Sequence, residues 1–421
     1  MEKLIIQGNK RLNGEITVSG SKNAALPILA ATLLTDEPCV IRRVPHLLDT
    51  VTMIKLLRSL GKTVEFNKNT VSVDSRGKAR YLADYKLVST MRGSFCVLGP
   101  LLAKLHKAKV SLPGGCVIGI RPVDLHLKGL RSMGAKIRIE GGYVEAEAKQ
   151  LKGRAVYLGG VFGSSVLATA NILMAAVLAK GETVIECAAC EPEITDLADF
   201  LNAMGARIEG QGSPRIRIRG VRNLHGASCT LSPDRIETGT YIILAAATRS
   251  PIRIKNAQLS HIMALVDKMS EAGVRVRDDG TALSVHINKN LRSTSITTYP
   301  YPGFPTDLQA QFSAFMAMVP GVSIITDKVF PDRFIHIAEI NRMGANIRRE
   351  GYRAIVEGVK KLHGAPVMAS DLRASAALII AGLAAHGQTE ISRIYHLDRG
   401  YESIDSKLRK IGAKIARVRE H

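Results

Sequence analysis

The hydrophobic positions of the chain follow two periods in turn. Stretches such as NAALPILAATLL, SSVLATANILMAAVLAKG and DLRASAALIIAGLAAHG are apolar almost all round, which predicts helices buried on every side. After helices of this kind come a turn and a β-rich run: CVIRRV, KVSL, TVIEC, PIRIKN, VSIITD and TEISRI. Between these segments a second helix ends at Gly, usually followed by Ala and then by alternating charged and β-branched residues. The copies are LRSLGKTVEF at Gly61, LRSMGAKIRI at Gly134, LNAMGARIEG at Gly205, MSEAGVRVRD at Gly273, INRMGANIRR at Gly344 and LRKIGAKIAR at Gly412. Their intervals are 73, 71, 68, 71 and 68 residues. A fixed period marks one supersecondary unit repeated along the chain. Gly takes the left-handed conformation that ends a helix, and the alternation behind it predicts a strand with one buried face.

One unit therefore reads as strand, buried helix, strand, helix, Gly cap, then one or two strands. Six units divide as three plus three in an α/β fold, with sheets around buried helices in each half. The first segment, KLIIQGNKRLNGEITVSG, reads as strands without a helix and is expected to complete the second half. This predicts one domain over 20–231 and a second over 1–19 plus 232–421, with a cleft between them.

Composition narrows the class. The 421 residues are 46% hydrophobic and 23% charged, as in ordinary globular proteins. No stretch of about 18 apolar residues lacks a charge or a breaker, so no membrane insertion is expected. The N-terminus MEKLIIQGNK has too short an apolar patch for a secretory signal, which predicts a cytoplasmic protein. The 58 basic side chains against 37 acidic give a net +21 and favour anionic partners. Nucleic acid is disfavoured: Trp is absent, aromatics are 5%, and Lys and Arg are scattered. Cys187 and Cys190 form a C-x-x-C without a second ligand pair, so they read as loop cysteines rather than a metal or redox site.

Four loops join Gly or Pro to chemistry-bearing side chains. In SGSKNAALP, Lys22 and Asn23 open a buried helix, where free N–H groups suit a phosphate. Equally, Ser21 and Asn23 read as caps and Lys22 as surface. In SLPGGCVIGIRPVDLH, Cys116 follows Gly-Gly and precedes Arg121, a setting that favours a thiolate. In YPYPGFPTDLQAQ, Asp307 begins a helix, and capping is the favoured reading. Arg333, Arg373 and Arg399 each follow an Asp within two residues, which suggests local ion pairs. Arg373 differs because it opens an otherwise apolar helix, where it is costly unless it meets an anion. No Walker loop, G-x-G-x-x-G or H-E-x-x-H is present.

SGSKNAALPILAA, LPGGCVIGIRPVDLH, LSPDRIETGT, FPTDLQAQ, VFPDRF, DLRASA and YHLDRGYE follow one another in this order. Together they make the chain, from about residue 3 to residue 419, resemble the UDP-N-acetylglucosamine 1-carboxyvinyltransferases. These are enolpyruvyl transferases that begin peptidoglycan synthesis. The resemblance implies a two-domain inside-out α/β barrel of six βαβαββ-like repeats. It also implies transfer of the enolpyruvyl group of phosphoenolpyruvate to the 3′-hydroxyl of UDP-N-acetylglucosamine, with release of phosphate. No metal or organic cofactor is implied, and the chain is expected to work as a monomer.

Residue roles follow the matching motifs. The resemblance makes Cys116, Asp307, Lys22 and Arg399 catalytic. Lys22, Arg121 and Arg399 are expected at the phosphoenolpyruvate phosphate, Arg333 and Arg373 towards its carboxylate, and Asn23 at both substrates. Arg92 in STMRGS and the run Arg121, Pro122, Val123, Asp124 and Leu125 are expected at the nucleotide sugar. Gly163, Ser164, Ser165 and Val166 join them, with Asp307 facing the attacking hydroxyl and Val329 supplying a backbone contact. Asp371, against Lys22 or the reacting centre, and Asp234 are supporting residues. Two positions depart from the family. Leu167 replaces a glycine beside the uridine diphosphate. Leu48 stands where some members carry Lys, leaving a positive charge missing or supplied by Arg42 or Arg43. The 5-enolpyruvylshikimate-3-phosphate synthases share fold and chemistry but lack the Cys loop. A non-catalytic basic binding protein on the same repeat is opposed by the intact set Lys22, Cys116, Asp307, Arg373 and Arg399.

Overall fold

A computed structural model describes residues 2–75, 77–113 and 123–419. Among the described residues six four-stranded sheets recur, and all share one pattern of parallel and antiparallel neighbours. In each, an edge strand runs parallel to the next, and two further strands continue the sheet antiparallel; in five of the six those two form a hairpin. The sheet of Ala155–Tyr157, Glu182–Glu186, Arg215–Arg219 and Arg207–Glu209 is representative. Its parallel pair is joined by the buried helix Val166–Ala176, and its hairpin follows the helix Pro192–Ala203. Parallel strands need such a crossover, whereas a hairpin needs only a tight turn. RIRIR at 215–219 alternates exposed and buried as its sequence alternates.

The six repeat glycines all end a helix with φ between +92° and +101°, a region that favours Gly. The helix before each of them packs on its sheet. The apolar helices are Lys22–Ala31, Leu98–Leu105, Val166–Ala176, Arg235–Ala247, Gln309–Met316 and Leu372–Ala384, and nearly all their residues are buried.

The described residues form two compact units. One holds residues 20–113 and 123–232, the other 2–19 and 233–419. Each has its own apolar core and three of the buried helices. Two strand exchanges complete the repeats. Gly14–Thr17, ahead of the first helix, runs parallel to Ile252–Lys255 in the second unit. Ser228–Thr230 fills the equivalent place beside Cys39–Arg42 in the first. Glu2–Gln7 lies between Gln388–Ser392 and Lys414–Arg419, so the start of the chain closes the sheet of its last repeat. No helix among the described residues is long and apolar enough to cross a membrane.

Candidate active site

A helix buried on all sides leaves only its ends for chemistry, and its N-terminal end carries unpaired N–H groups and a partial positive charge. The candidate residues gather there. Lys22 and Asn23 open the first central helix, and Arg92 begins the 3-10 turn that runs into the second. Ser165 caps the third and Asp234 the fourth. Asp307 sits in the turn leading into the fifth, and Asp371 and Arg373 open the sixth.

In the first unit, Ser21 accepts a hydrogen bond from the Ala24 amide, as a cap should. Lys22 is not a surface residue: it is 8% exposed, and its Nζ lies 3.3 Å from Asp49 Oδ2. Asp49 is itself buried in the first turn of the helix Leu48–Ser59. That carboxylate went unnoticed in the sequence, where Asp371 was expected against Lys22 or the reacting centre. Within its own unit Asp371 caps its helix, its Oδ1 accepting from the amides of Arg373 and Ala374.

Leu48 is 49% exposed and brings no charge. Arg42 is exposed at the end of its strand, while Arg43 is half-buried with φ of +62°. The Arg43 carbonyl packs on Gly20, two residues before Lys22, and a side chain at Gly20 would come within 1.9 Å of that oxygen. The Arg43 Nη2 is buried with no hydrogen-bond partner among the described residues, and burial lowers its pKa. Of the two arginines, Arg43 is therefore the one beside the Lys22 loop.

The nucleotide-sugar candidates fall in the same unit. Val123, Asp124 and Leu125 form the start of the helix Asp124–Ser132. Gly163 and Ser164 pair with Gly159–Gly160 in a small ribbon, and a side chain at Gly160 would lie 3.1 Å from Leu125. Ribbon and helix start are thus neighbours. Ser165 accepts from the Ala168 amide, and Val166 begins the helix. Leu167 packs against the core beneath. Arg92 is half-buried, near His126, whose ring accepts from Asn171 at 2.8 Å. Cys116, Arg121 and Pro122 lie outside the described residues.

In the second unit one carboxylate lies between two buried arginines. Asp307 does not cap its helix; no side-chain cap bond is made there. Its Oδ1 instead takes a 2.6 Å hydrogen bond from Arg333 Nη1, and its Oδ2 one of 2.6 Å from Arg373 Nη2. The arginines are 5% and 4% exposed. Burial would raise the Asp307 pKa, but Arg373 and Arg333 outweigh it and hold the carboxylate well below its ordinary range. The Arg373 guanidinium is held charged against burial, chiefly by Asp307, with Tyr401 and Asp234 adding to the effect.

Neighbouring polar groups brace this clamp. Arg373 Nη1 donates to the Tyr401 hydroxyl, which also meets Thr240 at 2.8 Å and Gln311 at 3.2 Å. Arg333 reaches Thr306, whose hydroxyl donates to the fully buried Asp327. Asp327 also accepts from the amides of Val329 and Phe330. The Val329 N–H is therefore taken, so the backbone contact expected of this residue would fall to its carbonyl. Tyr401, Gln311, Thr306 and Asp327 were missed in the sequence. The run of turn-forming residues at TDKVFPD was the available signal for Asp327.

The Asp-before-Arg pattern does not give the expected neighbour pairs. Asp332 pairs with Arg349 at 2.9 Å, and Asp398 grips Arg417 with two bonds of 2.7 and 2.9 Å. Asp371 caps, as described. Arg399 ends the turn Ile394–Arg399, which packs on the sixth central helix. Asp234 accepts from the amides of Ile236 and Glu237.

Comparison with known proteins adds to this geometry. A sequence profile described as EPSP synthase (3-phosphoshikimate 1-carboxyvinyltransferase) matches residues 6–408. The chain is 54% identical over 420 residues to a UDP-N-acetylglucosamine 1-carboxyvinyltransferase of Geotalea uraniireducens, covering 100% of both chains. It is 50% identical over 418 residues to the protein of that name from Methylacidiphilum infernorum, covering 99% of each. Among solved structures, the enolpyruvyl transferase NikO from Streptomyces tendae superposes with a TM-score of 0.90 at 25% identity, over 100% of this chain and 99% of that one. EPSP synthase from Acinetobacter baumannii shares the fold, with a TM-score of 0.76 at 20% identity over 99% and 100% of the two chains.

Proposed function

The chain belongs to the EPSP synthase family of enolpyruvyl transferases, and from that premise we propose that it transfers the enolpyruvyl group of phosphoenolpyruvate to the 3′-hydroxyl of UDP-N-acetylglucosamine. Full-length relatives at 50–54% identity carry that activity in their names, which favours this acceptor over shikimate 3-phosphate. Both substrates are anions, and a net +21 chain suits them.

In the reaction the sugar hydroxyl adds to C2 of phosphoenolpyruvate, loses its proton, and C3 gains one. The tetrahedral intermediate then expels phosphate and loses a C3 proton, leaving the enolpyruvyl ether. Lys22 at a helix N-terminus, with Arg121 and Arg399, binds the phosphate. Arg333 and Arg373 attend the carboxylate, and Cys116 serves as the acid at C3. Arg92, Asn23 and the residues 121–125 and 163–166 hold the nucleotide sugar. Asp234 supports Arg373 by its charge. Phosphoenolpyruvate and UDP-sugars are cytoplasmic metabolites, which puts the step in the cytoplasm at the start of peptidoglycan synthesis.

The observation that best supports this reading is Asp307 held between two buried arginines at 2.6 Å each. A carboxylate clamped this way is a weak base, because basicity falls with pKa. An anionic substrate that claims Arg333 and Arg373 releases it. Asp307 then gains basicity only when phosphoenolpyruvate is present to react. The test is phosphate release from phosphoenolpyruvate with UDP-N-acetylglucosamine, and separately with shikimate 3-phosphate. Release with the shikimate acceptor alone would reverse the assignment, and release with neither would point to a binding protein.

A further inference from the structure

Tyr401 lies two residues beyond Arg399 and is 1% exposed. Its hydroxyl meets side chains from all three central helices of the second unit. Thr240 Oγ1 lies at 2.8 Å, Gln311 Nε2 at 3.2 Å and Arg373 Nη1 at 3.3 Å. They come from Arg235–Ala247, Gln309–Met316 and Leu372–Ala384, and Thr240 and Gln311 are as buried as Tyr401.

The protons of this cluster can be assigned. The Thr240 hydroxyl gives its proton to the Ile236 carbonyl at 2.8 Å. The Tyr401 hydroxyl therefore donates to Thr240 and accepts from Arg373 and Gln311, which fills its one donor and two acceptor positions. The Gln311 amide nitrogen also donates to the Asp307 carbonyl at 3.0 Å. A carbonyl only accepts, so the Gln311 amide is fixed in orientation. Burial pushes the phenol pKa up, and the group stays neutral.

A second contact ties the same turn to the Arg373 helix. A side chain at Gly400 would come within 2.5 Å of Leu372, the residue before Arg373. The amides of Gly400 and Tyr401 both donate to the Leu397 carbonyl, at 3.0 and 3.1 Å. Gly400 and Tyr401 thus join the end of the Arg399 turn to the start of the Arg373 helix.

Phenylalanine would fill the same space. The hydroxyl adds direction, because a fully paired buried polar group holds its partners in one arrangement. Arg373 makes two kinds of contact through it: Nη2 meets a charge, Asp307, at 2.6 Å, and Nη1 meets a neutral phenol. An anionic substrate competes for the first and leaves the second in place.

We propose that Tyr401 is a positioning residue for enolpyruvyl transfer. Its hydroxyl holds the Arg373 guanidinium while the substrate carboxylate takes the place of Asp307, and keeps that guanidinium in register with the Arg399 turn. This role deepens the transferase reading above and rests on it. In that reading Arg373 attends the carboxylate and Arg399 the phosphate of one phosphoenolpyruvate molecule. An error in their register therefore falls on that substrate and spares the nucleotide sugar.

The experiment uses the full chain and its Tyr401→Phe, Thr240→Val and Thr240→Ser variants, with steady-state kinetics for both substrates. Tyr401→Phe removes only the hydroxyl and keeps the ring, whose centre lies 5.7 Å from the guanidinium carbon. Its KM for phosphoenolpyruvate should rise about tenfold, with KM for UDP-N-acetylglucosamine within about twofold. Thr240→Val removes the acceptor of the Tyr401 proton and should raise KM for phosphoenolpyruvate about threefold or more. Thr240→Ser keeps that acceptor and should stay within about twofold of wild type. An unchanged KM for phosphoenolpyruvate in Tyr401→Phe would overturn the proposal. So would an equal rise for both substrates, which a purely structural role would give. If Tyr401→Phe does not fold, the Thr240 pair decides: a rise for phosphoenolpyruvate in the Val variant that the Ser variant lacks supports the proposal, and equal kinetics in the two overturn it. An unaltered chain that releases no phosphate from these substrates would instead refute the transferase reading, and the role of Tyr401 in transfer with it.

Discussion

Asparagine at position 307 would keep the shape of the side chain and remove its charge. Asp307 is the shared counter-charge of Arg333 and Arg373, at 2.6 Å from each. Removing one partner from a buried ion pair costs roughly 3–5 kcal/mol, because the other charge stays buried and uncompensated. Two features moderate the loss here. The Asp307 side chain retains 25% exposure, and the amide oxygen of asparagine still accepts one arginine hydrogen bond. The expected destabilisation is therefore at the low end, about 3 kcal/mol. For a unit of roughly 200 residues, each 1 kcal/mol moves Tm by about 2–4 °C, so Asp307→Asn should melt about 6–12 °C lower.

The same variant should respond more strongly to anions. Two buried guanidinium groups without a fixed counter-ion form a stronger anion site than two that already share one. Saturating phosphoenolpyruvate should therefore raise the melting temperature of Asp307→Asn by more than it raises that of the wild type. Turnover should fall by about 10²–10⁴ if Asp307 takes the hydroxyl proton. Differential scanning fluorimetry with and without phosphoenolpyruvate, beside a phosphate-release assay, reads all three effects. A melting temperature within about 2 °C of wild type, together with equal stabilisation by phosphoenolpyruvate, would refute the claim that Asp307 neutralises the two arginines.

Arg373→Ala and Arg399→Ala should each lower kcat/KM at least tenfold, from loss of about 2–5 kcal/mol of charge-assisted binding; unaltered kinetics would remove that arginine from the site. Cys116→Asp should keep turnover, because a carboxyl also passes a proton, whereas Cys116→Ser should lose it. Fosfomycin is a small anionic epoxide that a thiolate near cationic side chains should open, so intact-mass spectra after treatment should show one thioether adduct, on Cys116; an adduct on Cys39, Cys96, Cys187, Cys190 or Cys229 instead would contradict the assignment. Acid should destabilise both units through their buried histidines. Burial lowers His126 to about 3 and His336 to about 4, so below pH about 6.5 the unfolded chain takes up protons that the folded chain refuses. Stability should fall by about 1.4 kcal/mol per pH unit for each ring as pH drops from about 6.5 towards those values. Urea midpoints that stay level from pH 6.5 to 5 would show that the rings are not held neutral.

The repeat was legible in the sequence because its determinants are local. A left-handed Gly at a helix end and the alternation behind it both lie within ten residues, and all six such glycines have positive φ. The strand exchanges were legible only in part. That segment 3–20 forms strands follows from its alternation. That Gly14–Thr17 lies parallel to Ile252–Lys255 depends on pairing across more than two hundred residues, which no local pattern encodes.

The site was legible by residue type and misread by partner, for the same reason. Capping and neighbour pairing are rules of short range, and they assigned Asp307 to its own helix and three arginines to the Asp just before them. In the folded chain Asp307 meets Arg333, 26 residues on, and Arg373, 66 residues on; Lys22 meets Asp49, 27 residues on. Each distance takes the chain from a central helix end to another element of the same unit. A repeat that buries its helices on every side leaves their N-terminal ends as places for polar side chains. There the helix dipole favours negative charge, whether from a substrate or from an aspartate. Asp307 fills that role for Arg333 and Arg373. In the proposed reaction an anionic substrate at those arginines would displace it, and the fold would thereby tie release of the carboxylate to arrival of the group on which it is proposed to act.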